Sequence, residues 1–150
     1  MSALVAHGMR VAVTAPWEAR ITRRAASAPD ERTFPVMHAA TFPLPEQRDD
    51  FGGNVTTLMR PSDAFVTLFE YGPDAIGRLL FARRGIPRVR PDLFATNRLQ
   101  RPLPGQLGCQ QFFTDRSRAF CLYVVAGSRA SLPRIITLVN SLLDHVVISP

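Results

Sequence analysis

Apolar and polar residues alternate over the first part of the chain, as they do in strands with one buried face. The alternation covers residues 9–13 and, after a proline, residues 17–23, and these two segments predict a hairpin with one solvated side. Further strands are predicted at residues 35–42, 55–59 and 64–71. The last of these is rich in aromatic and β-branched residues, which favour extended structure.

A second hairpin is predicted near the end of the chain, where residues 108–113 and 118–125 flank a short polar stretch. We place its turn at Asp115-Arg116, which assigns each apolar side chain to one of two faces. One face collects Cys109, Phe113, Phe120, Leu122 and Val124, and the other collects Phe112, Cys121, Tyr123 and Val125. Because both faces are apolar, the hairpin is expected inside a sheet that is covered on both sides.

Two helices are predicted from apolar residues at helical spacing. The first covers residues 75–84, with Ile76, Leu79 and Leu80 on one face and Gly85 as its stop. The second begins at Ser131 and runs to residue 143. Tight turns between strands favour antiparallel pairing. We therefore expect one α+β domain over residues 1–150, in which two helices pack on a mainly antiparallel sheet.

Two long segments lack a regular period, residues 43–54 and residues 86–105, and the second contains four prolines. With the residues just before it, the second segment carries the only concentration of charge in the chain: Arg83, Arg84, Arg88, Arg90, Arg98 and Arg101. Guanidinium groups pair with carboxylates on proteins and with phosphates on nucleic acids. The alternative is that the segment is a solvated loop without a binding role. All 18 basic residues of the chain are arginine, a bias typical of GC-rich coding, so the arginines here need not reflect a function.

The remaining chemistry-bearing residues form no familiar catalytic or metal-binding motif. His7, His38 and His145 lack the spacing that places two metal ligands on one helix face. The nucleophile elbow, the Walker loop and the dinucleotide-binding glycine motif are all missing. We therefore predict no catalytic residue, no metal site and no cofactor.

Two cysteines, Cys109 and Cys121, lie in predicted interior strands, where a free thiol usually packs as a small apolar group. Whether they are ever bridged stays open at this point, because a bridge needs an odd-length turn. We predict a cytoplasmic protein from three features of the sequence. The chain has only two isolated cysteines, no recognisable signal sequence, and no apolar run long enough to span a bilayer.

Several short motifs carry a resemblance to known proteins. They are residues 8–11, 17–21, 99–101, 112–113 and 118–123. In these motifs the chain resembles a family of uncharacterised small actinobacterial proteins, a resemblance that implies no particular activity. The strand and turn at Pro16-Trp17 are also similar to the start of PsbP-like sandwich domains, which implies a non-enzymatic helper or adaptor.

The absence of catalytic motifs and the presence of two long irregular segments favour an interaction module. Its net charge of +6 suits an acidic protein partner, alone or in a larger assembly, bound through the six arginines. One alternative is a nucleic-acid-binding domain that uses the same arginines. Another is a small-ligand-binding protein or enzyme with a pocket between helix and sheet, near Cys121, Tyr123 or His38. Self-association into a homo-oligomer is left open.

Overall fold

A computed structural model describes residues 2–150. Its regular elements are β1 (Ser2–Ala6), β2 (Met9–Val13), β3 (Glu18–Arg23), β4 (Pro35–Ala40), β5 (Ala64–Glu70), β6 (Leu107–Asp115), β7 (Arg118–Ala126), α1 (Leu132–Leu143) and β8 (Val146–Ile148). Five strands form a large sheet in the order β3-β4-β5-β7-β6, and three form a small sheet in the order β1-β2-β8. All neighbouring strands are antiparallel, so the α+β class and the antiparallel sheet are confirmed.

The predicted pairing of residues 9–13 with residues 17–23 is wrong. Both segments are strands, but β2 pairs with β1 and β8 in the small sheet, whereas β3 pairs with β4 in the large one. The expectation failed because the true partners of β2 are a strand that precedes it and one at the far end of the chain. A local pattern cannot reveal the second of these.

The main core lies between the small sheet with α1 and one face of the large sheet. Alternate residues of the central strands point into it, including Val66 on β5 and Leu122 on β7, and Ile135 and Val139 of α1 pack against them, all fully buried. Phe113 and Phe120 stack within it with ring centroids 5.4 Å apart. Each such side chain contributes about 1.5–3 kcal/mol by leaving water, so this layer supplies most of the stability.

The opposite face of the large sheet carries a second, aromatic core. Phe65, Cys121 and Tyr123 lie on this face beneath the segment 41–59, whose Phe42 and Val55 pack onto them. The two predicted faces of the β6–β7 hairpin are thus confirmed. The turn itself falls one residue later than predicted, because Asp115 pairs with Arg118 and the positive φ angles lie at Arg116 and Ser117.

Two further predicted elements are wrong. Residues 55–59 are not a strand but the end of a 3₁₀ helix, Gly53–Leu58, and its C-terminal cap Met59; the helix starts with two glycines at positive φ, the N-cap Gly52 and the first residue Gly53. The predicted helix 75–84 consists instead of two 3₁₀ turns, Pro73–Ala75 and Leu79–Phe81, separated by Gly77 at φ +89°. Such a backbone angle interrupts a right-handed helix, so one α-helix rather than two packs on the sheet. None of the helices in residues 2–150 has the length and apolar character needed to cross a membrane.

The arginine- and proline-rich segment 86–105, here called the connector, covers the outer edge of β6. Ala95 and Gly108 exchange two backbone hydrogen bonds of 2.9 and 3.0 Å. A side chain at position 108 would place its Cβ 2.7 Å from the carbonyl oxygen of Arg98, so only glycine permits this approach. Asn140 of α1 fastens the middle of the connector by bonding both the N–H and the carbonyl of Val89. Covering an edge in this way protects a sheet from pairing with other chains.

Arg118 joins the two sheets. Its guanidinium forms a bidentate pair with Glu70, at 2.7 and 3.0 Å, and the side chains of both residues are largely buried. The same group donates to the carbonyls of His7 and Gly8 in the β1–β2 turn and of Ser149 after β8. One side chain therefore holds the ends of both sheets in a fixed relation.

Candidate functional site

The six arginines of the sequence prediction lie along the β6 edge and do not converge. Arg83 and Arg84 are beside Thr114 at one end of β6, and Arg98 is beside Gly108 at the other. Those two strand positions are about 20 Å apart at the usual rise per residue. The binding role assigned to the whole set stays a prediction.

The two central arginines of the set are paired with carboxylates. Arg88 Nη1 lies 2.5 Å from Asp144 Oδ1, and Arg90 Nε lies 3.2 Å from Asp92 Oδ1. These exposed pairs add little stability, but they reduce the charge that the middle of the connector offers a partner. The arginines at the two ends of the set, Arg83 and Arg84 at one end and Arg98 and Arg101 at the other, are therefore the better candidates for binding.

Just before Arg83 and Arg84 in the chain, a group of apolar side chains projects into solvent. Leu79 is 93% exposed, Leu80 59% and Ile76 41%, and we call these three residues the apolar tip. The sequence pattern places them on the buried face of a helix, and the structure reverses that expectation because the 3₁₀ turns direct them outward. Gly77 in the middle of the pattern is the signal that argues against a helix there.

Three arginines are close to the apolar tip in sequence, and two of them, Arg78 and Arg84, line a depression beside Leu79. Arg78 Nε donates to the carbonyl of Asp74 at 3.0 Å, and Arg83 Nη1 donates to Gln111 Oε1 at 2.7 Å. Within residues 2–150, neither these two nor Arg84 lies within ion-pair distance of a carboxylate. The tip therefore combines exposed apolar surface with uncompensated positive charge.

The turn that bears the tip is held firmly from below. Phe81 is buried and packs edge-on against Tyr71 and Phe112, with centroids 5.1 and 5.6 Å away. Thr114 of β6 donates its hydroxyl to the Phe81 carbonyl at 2.7 Å and its N–H to the Arg83 carbonyl at 2.8 Å. The leucines are exposed because a fixed turn presents them.

A second candidate site is a cleft of about 860 Å³ on the face of the large sheet opposite α1. Apolar side chains of Val36, Phe51 and Tyr123 line it together with charged and polar groups of β3, of the 46–56 segment and of the connector. Four arginines belong to this lining, Arg23, Arg24, Arg48 and Arg101, and we call it the arginine cleft. Its volume is typical of sites for small organic ligands.

Arg48 and His38 are joined by a hydrogen bond beside this cleft. Arg48 Nε donates to His38 Nδ1 at 3.1 Å, and the other ring nitrogen of His38 bonds the Asp50 carbonyl at 2.9 Å. The imidazole is therefore neutral, with its proton on Nε2. Burial, and to a smaller extent the positive charge of Arg48, lower the pKa of His38 to about 4, although the bond to Asp50 opposes this.

The two cysteines are far from any such chemistry. Cys109 faces the main core and Cys121 the aromatic core, on opposite sides of the large sheet, so they cannot form a disulfide with each other. Burial raises the pKa of Cys109 to about 11 and that of Cys121 to about 12. Both remain thiols at neutral pH, which removes the nucleophilic form.

No local motif in the sequence identifies the arginine cleft. Arg48 and His38 are ten residues apart and meet only because the 41–59 segment folds back over β4. Within residues 2–150, no group of His, Cys, Asp or Glu side chains is arranged to hold a metal ion. Comparison with protein-family models, with curated proteins and with solved structures gives no match.

Proposed function

We propose that the protein is a non-enzymatic interaction module that docks on an acidic partner protein through the apolar tip and its three arginines. The observation that carries this proposal is the 93% exposure of Leu79 on a turn anchored by buried Phe81. A fixed apolar projection surrounded by charge has the composition of a binding hot spot with a polar rim.

The charge around the tip selects the type of partner. The segment 73–85 contains three arginines and a single acidic residue, Asp74. An acidic surface would satisfy these guanidiniums and accelerate association, whereas a second copy of the chain would bring like charges together. A depression of about 340 Å³ beside Leu79, lined by Arg78, Arg84 and Ser117 among others, adds space for a protruding side chain of a folded partner.

The first test is photo-crosslinking inside the native host. A photoreactive side chain replaces Leu79, and the matched control carries it in place of Leu58, which is 56% exposed on the 3₁₀ helix Gly53–Leu58. We expect one defined protein adduct from position 79 and none of the same species from position 58. Equal adducts from both positions, or crosslinks only to lipid or nucleic acid, would contradict the proposal.

The second test uses the identified partner in purified form. Leu79→Ser combined with Leu80→Ser is expected to weaken binding by about tenfold or more, as loss of a buried hot spot does. Arg83→Gln with Arg84→Gln should also weaken it, whereas Arg88→Gln with Arg90→Gln removes the same charge from paired positions and should have little effect. Equal losses from the two arginine pairs would show that only overall charge matters.

A further inference from the structure

We infer that the arginine cleft binds a small organic anion, a carboxylate or phosphate ester whose apolar body lies against the half-buried ring of Phe51. This inference is independent of the apolar tip, which lies at a different part of the molecule and shares no lining residue with the cleft. It rests on the manner in which the arginines of the cleft are held.

Arg48 is positioned entirely by neutral acceptors. Besides His38 Nδ1, its guanidinium donates through Nη1 to the carbonyls of Pro45 and Glu46, at 2.5 and 3.2 Å. Its Nη2 makes no hydrogen bond to any group in residues 2–150. The guanidinium is thus oriented without a direct ion pair, because the nearby carboxylates of Glu18 and Glu46 lie more than 4 Å away. Arg118 is the contrast within the same molecule, since its charge is neutralised by a bidentate bond to Glu70.

Two other arginines of the cleft are more exposed than Arg48, and each donates to one neutral acceptor. Arg101 Nη1 donates to Asn54 Oδ1 at 2.5 Å, and Arg23 Nε donates to Thr33 Oγ1 at 3.1 Å. Neither forms an ion pair with a residue of the 2–150 range, whereas the fourth, Arg24, is paired with Glu31 at 2.7 Å. The cleft thus contains three guanidiniums that have no carboxylate within 4 Å and can form charged hydrogen bonds to an anion.

The remaining lining groups restrict the ligand further. Phe51 supplies accessible apolar surface, and its ring lies edge-on to the buried Tyr123 with centroids 5.7 Å apart. Glu46, Asp49 and Asp50 also line the cleft, and none of them lies within 4 Å of a guanidinium. These carboxylates favour a ligand that carries an amino or hydroxyl group as well as its anionic group.

O-phosphotyrosine is a suitable probe, since it combines a phosphate, an aromatic ring and an amino group. We expect saturable binding, with a Kd of about 1 mM or below, and NMR shift changes that map to residues lining the cleft. The absence of saturable binding at about ten times that concentration would overturn the inference. So would shift changes located elsewhere on the molecule.

Matched variants separate a real site from general electrostatic attraction. Arg48→Gln and Arg101→Gln should each weaken binding of the probe by about tenfold, the usual effect of losing a charged hydrogen bond. Arg134→Gln removes one exposed positive charge from α1 and should leave binding unchanged. An equal loss in all three variants would overturn the inference. Arg101→Gln preserves the contact between Arg48 and His38, so it remains informative if Arg48→Gln unfolds the protein.

The double variant Leu79→Ser and Leu80→Ser should bind the probe normally. The two proposals can thus be confirmed or refuted separately, because the probe assay does not involve the apolar tip and the crosslinking assay does not involve Arg48.

Discussion

His38 shows how one buried polar residue depends on partners from a single loop. The residue is 1% exposed, its ring stacks on Phe65 at 5.6 Å, and its two nitrogens bond Arg48 and the Asp50 carbonyl. The contact with Arg48 requires an unprotonated Nδ1, so a second proton on the ring would turn that bond into a repulsion. The residue that orients the cleft arginine is for the same reason sensitive to acid.

This arrangement predicts a specific loss of stability in mild acid. The pKa of His38 is lowered to about 4 in the folded protein from 6.5, so the unfolded chain binds an additional proton between these values and stability falls as pH falls. The loss attributable to His38 between pH 7 and pH 4 is about 3 kcal/mol. Urea unfolding at several pH values should show it as a steeper pH dependence in the natural protein than in His38→Gln. Identical slopes would contradict the prediction.

At the scale of elements, Arg118 makes the relation between the two sheets depend on one ion pair. Arg118→Met leaves the carboxylate of Glu70 buried without a partner and removes three bonds to the small sheet. We expect the free energy of unfolding to fall by about 3 kcal/mol, measured by urea denaturation. Arg90→Met is the matched control, because its pair with Asp92 is exposed and its loss should cost about 0.5 kcal/mol or less.

A second variant distinguishes the buried charge from the lost contacts. Adding Glu70→Gln to Arg118→Met removes the unpaired charge and should recover part of the stability. If the double variant is as unstable as Arg118→Met, the loss of the bonds to the His7, Gly8 and Ser149 carbonyls accounts for the fall in the free energy of unfolding. If Arg118→Met is no less stable than Arg90→Met, Arg118 does not hold the sheets together.

Elements whose signals are local were predictable from the sequence. The β6–β7 hairpin has apolar residues on both faces and a polar turn, and α1 has an apolar stripe, and both are present. Failures occurred where a glycine changed the backbone: Gly53 converts a predicted strand to a 3₁₀ helix, and Gly77 breaks a predicted helix. The same break explains why Leu79, which was expected on the apolar face of a helix, is exposed instead.

The candidate binding sites were harder to predict from the sequence than the strands and helices. Arg83 and Arg84 are in the predicted arginine set and also flank the apolar tip, because charge concentration is visible in a sequence. Arg48 was not singled out, since its meaning depends on His38 and on the fold of a loop over the sheet. Whether an arginine is neutralised, as Arg88 is by Asp144, depends on long-range contacts in the same way.

At the scale of the whole molecule, the reactivity of the two cysteine thiols indicates whether the fold is intact. Each is buried in a different core, with its pKa raised to about 11 or 12. Neither should react with a thiol reagent at neutral pH until the chain unfolds. Labelling rates measured against urea concentration should therefore follow global unfolding for both, with the fully denatured chain as the reactive reference. Rapid labelling of either cysteine in the native protein would contradict this packing.

The pairing of β2 with β8 affects how the protein is made. Met9 lies opposite Ile148, so the small sheet joins residues that leave the ribosome at very different times. Until β8 emerges, the β1–β2 hairpin lacks one partner strand, and Met9 and Val11, which are buried in the finished core, lack part of their cover. Contacts of such high sequence separation slow folding and prolong exposure of apolar surface. The small sheet can therefore be completed only after residues 146–148 have been synthesised, and until then Met9 and Val11 stay partly uncovered.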